Sequence, residues 1–210
     1  MAGSDPYTGA VADVLDGLGR LRQTLPPAIG PLAPGMRVAG PAFCIEGRPQ
    51  TGLDYDASIR RILEALGAVP AGHVAVYATG DDASAHFGEL SATALAARGV
   101  TGAVLDGGCR DVAFIVAQGF PVFCRFVTPQ DSVPRWEVVE RGHEVEIGGV
   151  AVATGDYVVA DADGVVVIPA DLHDEVLAAA SEIAGTENEV RAAVREGMAP
   201  LDAYDRYGKF

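Results

Sequence analysis

Apolar and polar positions alternate with two different periods along this chain, and the changes of period mark its elements. Val11, Val14, Leu15 and Leu18 fall on one face of a 3.6-residue repeat. A helix is therefore predicted over 8–19, with Thr8 as its N-cap and Gly19 as its stop. Four prolines make Leu25–Gly35 a loop. Val38–Glu46 reads as a strand, Arg48–Asp56 as a polar, turn-rich segment suited to a mobile lid, and Ile59–Leu66 as a helix ending near Gly67. A buried strand over Val74–Thr79 precedes a polar loop (80–88), an Ala-rich helix (89–98), a strand at Ala103–Asp106, a helix at Asp111–Gln118 and a strand at Val122–Phe126. This alternation predicts βαβ crossovers and the α/β class. From Val138 onward, short apolar runs are separated by Gly-Gly, Gly-Asp and Asp-Gly, which read as β-turns. A closing helix follows from about 171 to 196. No repeat or low-complexity linker divides 1–210, so a single domain is expected.

Composition narrows the function. The chain is 49% hydrophobic, enough for a sizeable core, yet no apolar run approaches a membrane span. The formal net charge of -14 argues against nucleic acid, which needs basic patches, and against an anionic membrane surface. The N-terminal residues lack the basic start and apolar core of a signal peptide. Cys44, Cys109 and Cys124 form no CxxC pair and are odd in number, so reduced thiols in the cytoplasm are expected. Cys109 reads as a small filler beside the candidate site.

Candidate chemistry concentrates in Gly102–Asp111. An apolar strand runs into a Gly-rich turn that delivers Arg110 and Asp111 side by side. Arg110 can bind a carboxylate through two parallel hydrogen bonds. Asp111 offers hard oxygen for a divalent cation. Upstream, Gly88 opens a helix whose free amides at Leu90 and Ser91 can hold an anion. Glu89 stands at the same helix start, with twenty residues (90–109) between it and Arg110. His86 is placed either in a pocket wall or on an exposed loop. His73, His143 and His173 show no metal-ligand spacing and are expected at the surface. Asp161–Gly164 reads as a β-turn rather than a calcium loop. No GxGxxG follows a strand, which weakens an S-adenosylmethionine methyltransferase reading. The only lysine is Lys209, far from these motifs, which argues against Schiff-base chemistry.

These motifs, taken in order, resemble the RraA-like family, which contains the class II 4-hydroxy-4-methyl-2-oxoglutarate/4-carboxy-4-hydroxy-2-oxoadipate aldolases. The resemblance rests on Thr8–Gly19, Gly40-Pro41-Ala42, Glu89 with Arg110-Asp111, Gly148-Gly149-Val150, Gly155-Asp156 and Asp161–Pro169, and it covers nearly the whole chain. Glu89 departs from the usual Asp, and Ser91 from the usual Leu, although a backbone donor survives the second change. The resemblance implies a swivelling β/β/α sandwich and a homotrimer or dimer of trimers. It implies that Gly88, Leu90, Ser91 and Arg110 hold the carboxylate of a small 2-oxo acid, that Arg110 also meets the keto oxygen, and that Asp111 binds Mg²⁺ or Mn²⁺. Glu89 would order water on that ion, and Glu187 would reach the site from a neighbouring subunit. The implied activity is cleavage of a 4-hydroxy-2-oxo acid to pyruvate and a second oxo acid, with oxaloacetate decarboxylation as a side reaction. The alternatives are an RraA-like regulator that binds ribonuclease E, or a lyase diverged toward another hydroxy acid.

Overall fold

A computed structural model describes residues 6–210. In chain order its elements are α1 (Thr8–Gly17), β1 (Gly30–Pro31), β2 (Val38–Pro49), α2 (Tyr55–Ala68), β3 (Val74–Ala78), β4 (Ala85–Phe87), α3 (Glu89–Ala97), β5 (Gly102–Cys109), α4 (Val112–Gln118) and β6 (Val122–Val127). Then follow β7 (Trp136–Arg141), β8 (Val145–Ile147), β9 (Val150–Val152), β10 (Tyr157–Asp161), β11 (Gly164–Ile168), a 3₁₀ turn, α5 (His173–Arg195) and α6 (Pro200–Tyr207).

The length of β2 organises the sheet. Its start pairs antiparallel with β10, its middle runs parallel to β3 from Ala42↔Val74 to Glu46↔Ala78, and its end pairs antiparallel with β7. The strand order is β1-β6-β5-β3-β2-β10-β11, with β4 beside β5 and β7 beside β2. Residues 23–25 bond to β11, since Leu25 N–H donates to Val165 and Val167 N–H donates to Gln23. The chain then runs on to β1, which pairs with β6. One short segment thus links the two sheet ends, and the sheet is a nearly closed barrel. The β8–β9 hairpin plugs its interior: Val145, Ile147, Val150 and Val152 pack with Val76, Val104, Val158 and Val167. Helices α2, α3 and α4 cover the outer face of the parallel strands through Leu66, Leu95 and Ile115. Helices α1 and α5 cover β10 and β11. Hairpin, sheet and helices form the β/β/α sandwich that the resemblance implied.

The departures from the sequence pattern have physical causes. Gly107 and Gly108 do not turn; they continue β5. A Cβ on Gly107 would lie 2.6 Å from Thr79 Oγ1, and one on Gly108 would lie 2.5 Å from the Ser84 carbonyl. These glycines let neighbouring segments press against both faces of a central strand. The polar 48–56 segment is not one lid. Pairing with β7 draws Arg48 and Pro49 into β2, and Asp54, whose carboxylate accepts from Ala57 N–H at 2.9 Å, caps a helix beginning at Tyr55. Thr8 is not the N-cap of α1, which is Tyr7; its hydroxyl and amide both donate to the buried carboxylate of Asp161, at 2.6 and 2.9 Å. That bond ties α1 to the β10–β11 turn, which spans Asp161–Gly164 as expected. The short strands β1 and β4 and the helix α6 carried too little periodicity to be read. No helix among the described residues is long and apolar enough to cross a membrane.

Candidate active site

Strands β4 and β5 run parallel and end together, so the residues that follow each of them meet. Gly88 follows β4 and Arg110-Asp111 follow β5. The Arg110 amide donates to the Phe87 carbonyl at 2.9 Å, which locks the two strand ends. Asp111 is the one described non-glycine residue with positive φ, 60°, a left-handed conformation that turns the chain directly into α4. Such a conformation costs free energy and is commonly retained where a side chain must be aimed. Here it brings Asp111 Oδ2 to within 3.2 Å of the Glu89 N–H at the start of α3. A Cβ on Gly88 would lie 2.6 Å from that oxygen and 3.3 Å from Arg110 Cγ. Glycine is required at 88 because these two side chains occupy the space.

Gly88, Leu90, Ser91, Arg110 and Asp111 line one cavity of about 410 Å³, within the range of small-molecule sites. The amides of Leu90 and Ser91, in the first turn of α3, have no backbone acceptor among the described residues. The Arg110 guanidinium faces two carboxylates, with Nε 3.6 Å from Asp111 and NH1 3.2 Å from Asp131. Asp131 went unnoticed in the sequence, where Gln130-Asp131-Ser132 reads as loop. Its position is fixed by a parallel bridge to Ala85 and by Val133 N–H donating to its Oδ1 at 3.2 Å.

Within one chain, the side chains of Glu89, Glu187 and Cys109 do not line this cavity. The Glu89 carboxylate accepts from the Thr93 hydroxyl at 3.0 Å, one turn along its own helix, and does not line the cavity. Glu187 lies on α5, hydrogen-bonded by the Tyr7 hydroxyl and 3.7 Å from Lys209 Nζ. Cys109 is buried, and the neighbouring Cys124 thiol together with burial raises its own thiol above the usual range.

His86 is neither exposed nor on the surface of a loop. Its side chain is 0% exposed, its Nε2 lies 3.2 Å from Asp81, its ring stands edge-on to Trp136, and it forms part of the cavity wall. Burial pushes its pKa from 6.5 to about 4 against the pull of Asp81. A histidine that is harder to protonate folded than unfolded makes the unfolded chain bind more protons between those values. Stability should therefore fall as pH drops from about 6.5 to 4, with a slope of up to about 1.4 kcal/mol per pH unit from this group. Denaturant midpoints across that range, compared with His86→Gln, would check this; an unchanged slope in the variant would refute it.

Two places offer metal ligands. Asp111 is half-exposed, and its Oδ1 has no partner among the described residues, so a hard cation with several waters fits there. A second group comprises Glu46, the residue opposite it, Glu140, and His143, whose Nε2 is 3.0 and 3.8 Å from the two carboxylates. Register across β2 and β7 assembles this group, which spacing along the chain could not reveal. The His143 Nδ1 is buried without a protein partner, so an ion on Nε2 would leave a buried N–H unmatched. Of the two, only Asp111 lies in the cavity.

The comparisons agree with this architecture. The family description Aldolase/RraA matches residues 8–167. A protein of Halalkalibacterium halodurans, provisionally named as a 4-hydroxy-4-methyl-2-oxoglutarate aldolase, is 30% identical over 94% of this chain and 89% of its own length. The crystal structure of an uncharacterised protein from Pseudomonas syringae pv. tomato superposes with a TM-score of 0.86 at 28% identity, covering 96% of this chain and 90% of that one. Streptomyces coelicolor RraAS2, described as an unusual member of the RNase ES inhibitor RraA protein family, superposes with a TM-score of 0.80 at 29% identity, covering 89% and 93%. With the matched profile, the barrel and the Arg110-Asp111 turn in agreement, this chain belongs to the RraA-like family.

Proposed function

We propose that the chain is a divalent-metal-dependent carbon–carbon lyase that releases pyruvate from a 4-hydroxy-2-oxo acid. The observation that carries this reading is the meeting of Arg110, Asp111 and the free amides of Leu90 and Ser91 around one cavity. The amides and Arg110 hold the substrate carboxylate, and the remaining guanidinium N–H groups meet the 2-oxo oxygen. Asp111 would hold Mg²⁺ or Mn²⁺, which when bound polarises the 2-oxo group. Transfer of the 4-hydroxyl proton to water in the cavity breaks C3–C4, forms a carbonyl at C4 and places the electron pair in a pyruvate enolate. Arg110 stabilises that charge as it develops, and protonation at C3 completes pyruvate. Oxaloacetate passes through the same enolate when it loses CO₂, and its second carboxylate leaves from C3 without extending into a tail pocket, so its decarboxylation is expected as a side reaction.

The test is pyruvate release from a panel of 4-hydroxy-2-oxo acids and oxaloacetate. Chelation should abolish release, and Mg²⁺ or Mn²⁺ should restore it. Full turnover of metal-free protein in excess chelator would eliminate the metal role. Absence of pyruvate from every substrate would favour the regulatory reading, for which RraAS2 is the structural precedent.

A homotrimer or dimer of trimers fits the exposed apolar rim beside the cavity, where Leu90 is 78% and Phe114 67% exposed. In such an assembly Glu187 would enter a neighbour's cleft, and it would have to release Tyr7 and Lys209 to do so. Inactive Arg110→Ala and Glu187→Ala proteins, dissociated and reassembled together, should regain part of the activity. No recovery despite confirmed subunit exchange would remove Glu187 from the shared site.

A further inference from the structure

The cavity has two chemically different halves. Its polar half holds Arg110, Asp111, Asp131 and the α3 amides. Its other half is largely apolar and is built by α2, whose Ile59, Ile62, Leu63 and Leu66 line it with Val133, with the hydroxyls of Tyr55 and Ser132 as its polar members. Arg110 is the only cation among the described residues of the lining, against the carboxylates of Asp111 and Asp131. The cations nearest in sequence to the apolar wall are engaged elsewhere. Arg60 pairs with Asp56 at 2.6 Å, Arg61 with Glu137 at 3.2 Å, and Arg135 donates to the Asp131 carbonyl at 3.1 Å. None of the three lines the cavity.

From this asymmetry we infer that the substrate is a monocarboxylate, a 2-oxo acid head carrying an apolar tail, rather than a diacid. This rests on the lyase reading for the head group but not on turnover. Arg110 and the amides are committed to the 2-oxo carboxylate. A second carboxylate on the tail would meet no counter-charge among the described residues of this wall, where the only donors are the hydroxyls of Tyr55 and Ser132, and taking it even partly out of water there costs free energy. The two resident aspartates add repulsion. An alkyl or aryl tail gains instead, because α2 otherwise exposes apolar surface: Leu63 is 56% exposed. The second product is then a neutral aldehyde or ketone. The retro-aldol step balances without any further reactant, since the 4-hydroxyl proton is returned at C3 of pyruvate.

Binding separates this inference from the lyase reading, because 2-oxo acids without a 4-hydroxyl cannot be cleaved. Titration calorimetry of the Mg²⁺-loaded protein would compare 2-oxoglutarate with 5-methyl-2-oxohexanoate, in which an isopropyl group replaces the distal carboxylate. The apolar acid should bind at least tenfold more tightly. Leu63→Arg, at a half-exposed position that tolerates a long side chain, should narrow or reverse the ratio by placing a cation on the wall. Equal or tighter binding of 2-oxoglutarate by the unmodified protein overturns the inference, whether or not diacids are cleaved. A preference for the apolar acid with no pyruvate from any 4-hydroxy-2-oxo acid supports the inference while sinking the lyase reading. Failure of both acids to bind sinks both.

Discussion

Arg110→Lys should lower kcat/KM for pyruvate release about a hundredfold or more, close to the loss from Arg110→Ala. The guanidinium sits between Asp111 at Nε and Asp131 at NH1, and it must still offer N–H groups to the substrate. A planar fork with five donors can meet these partners at once in fixed directions. An ammonium on a flexible stem would settle on one of the resident carboxylates and leave the developing enolate without a directed donor. Losing a charge-assisted contact that strengthens in the transition state costs about 3–4 kcal/mol. Because Arg110 is half-exposed, neither substitution should unfold the protein. Initial rates with a coupled pyruvate assay, read beside thermal melts, would show this. A lysine variant within a few-fold of the unmodified enzyme would mean that Arg110 supplies only diffuse positive charge.

What the sequence disclosed follows from how local each feature is. The helices and parallel strands around the cavity announce themselves through period, and Arg110-Asp111 through adjacency. The cavity wall did not, because the aliphatic residues of α2 read as ordinary core-facing positions; only the placement of α2 around the same cavity as Arg110 and Asp111 turns them into a binding surface. Asp131 belongs to the site through one parallel bridge to Ala85 and one ion pair. His86 looked like a loop residue because β4 is three residues long, too short for alternation to register. Gly107 and Gly108 were misread as a turn for a related reason. Glycine signals either freedom of φ or need of space, and the need of space depends on Thr79, His86, Ser84 and Phe126, which come from elsewhere in the chain. The same ambiguity governs the position whose substitution should damage the fold most.

Gly47→Ala should lower stability by about 3 kcal/mol, although alanine is ordinarily tolerated in a strand. Gly47 sits at the register shift of β2 against β7, and a Cβ there would lie 1.9 Å from Cζ2 and 2.3 Å from Cε2 of Trp136, and 2.6 Å from the Glu137 carbonyl. The Trp136 side chain has nowhere to go. It is 1% exposed, its indole N–H donates to the Thr79 carbonyl at 2.8 Å, and its ring packs on His86 with centroids 4.9 Å apart. Moving it strains the core and breaks that hydrogen bond, effects of about 1–3 and about 1 kcal/mol respectively. At about 2–4 °C per kcal/mol for a chain of this size, the melting temperature should drop by about 6–12 °C. Gly185→Ala is the matched control. Nothing lies within 4 Å of a Cβ at 185, in the interior of α5, so alanine there should stabilise by about 0.5–1 kcal/mol. A Gly47→Ala protein melting within about 2 °C of the unmodified chain would show that Trp136 can shift, and that the floor beneath His86 is softer than its packing implies.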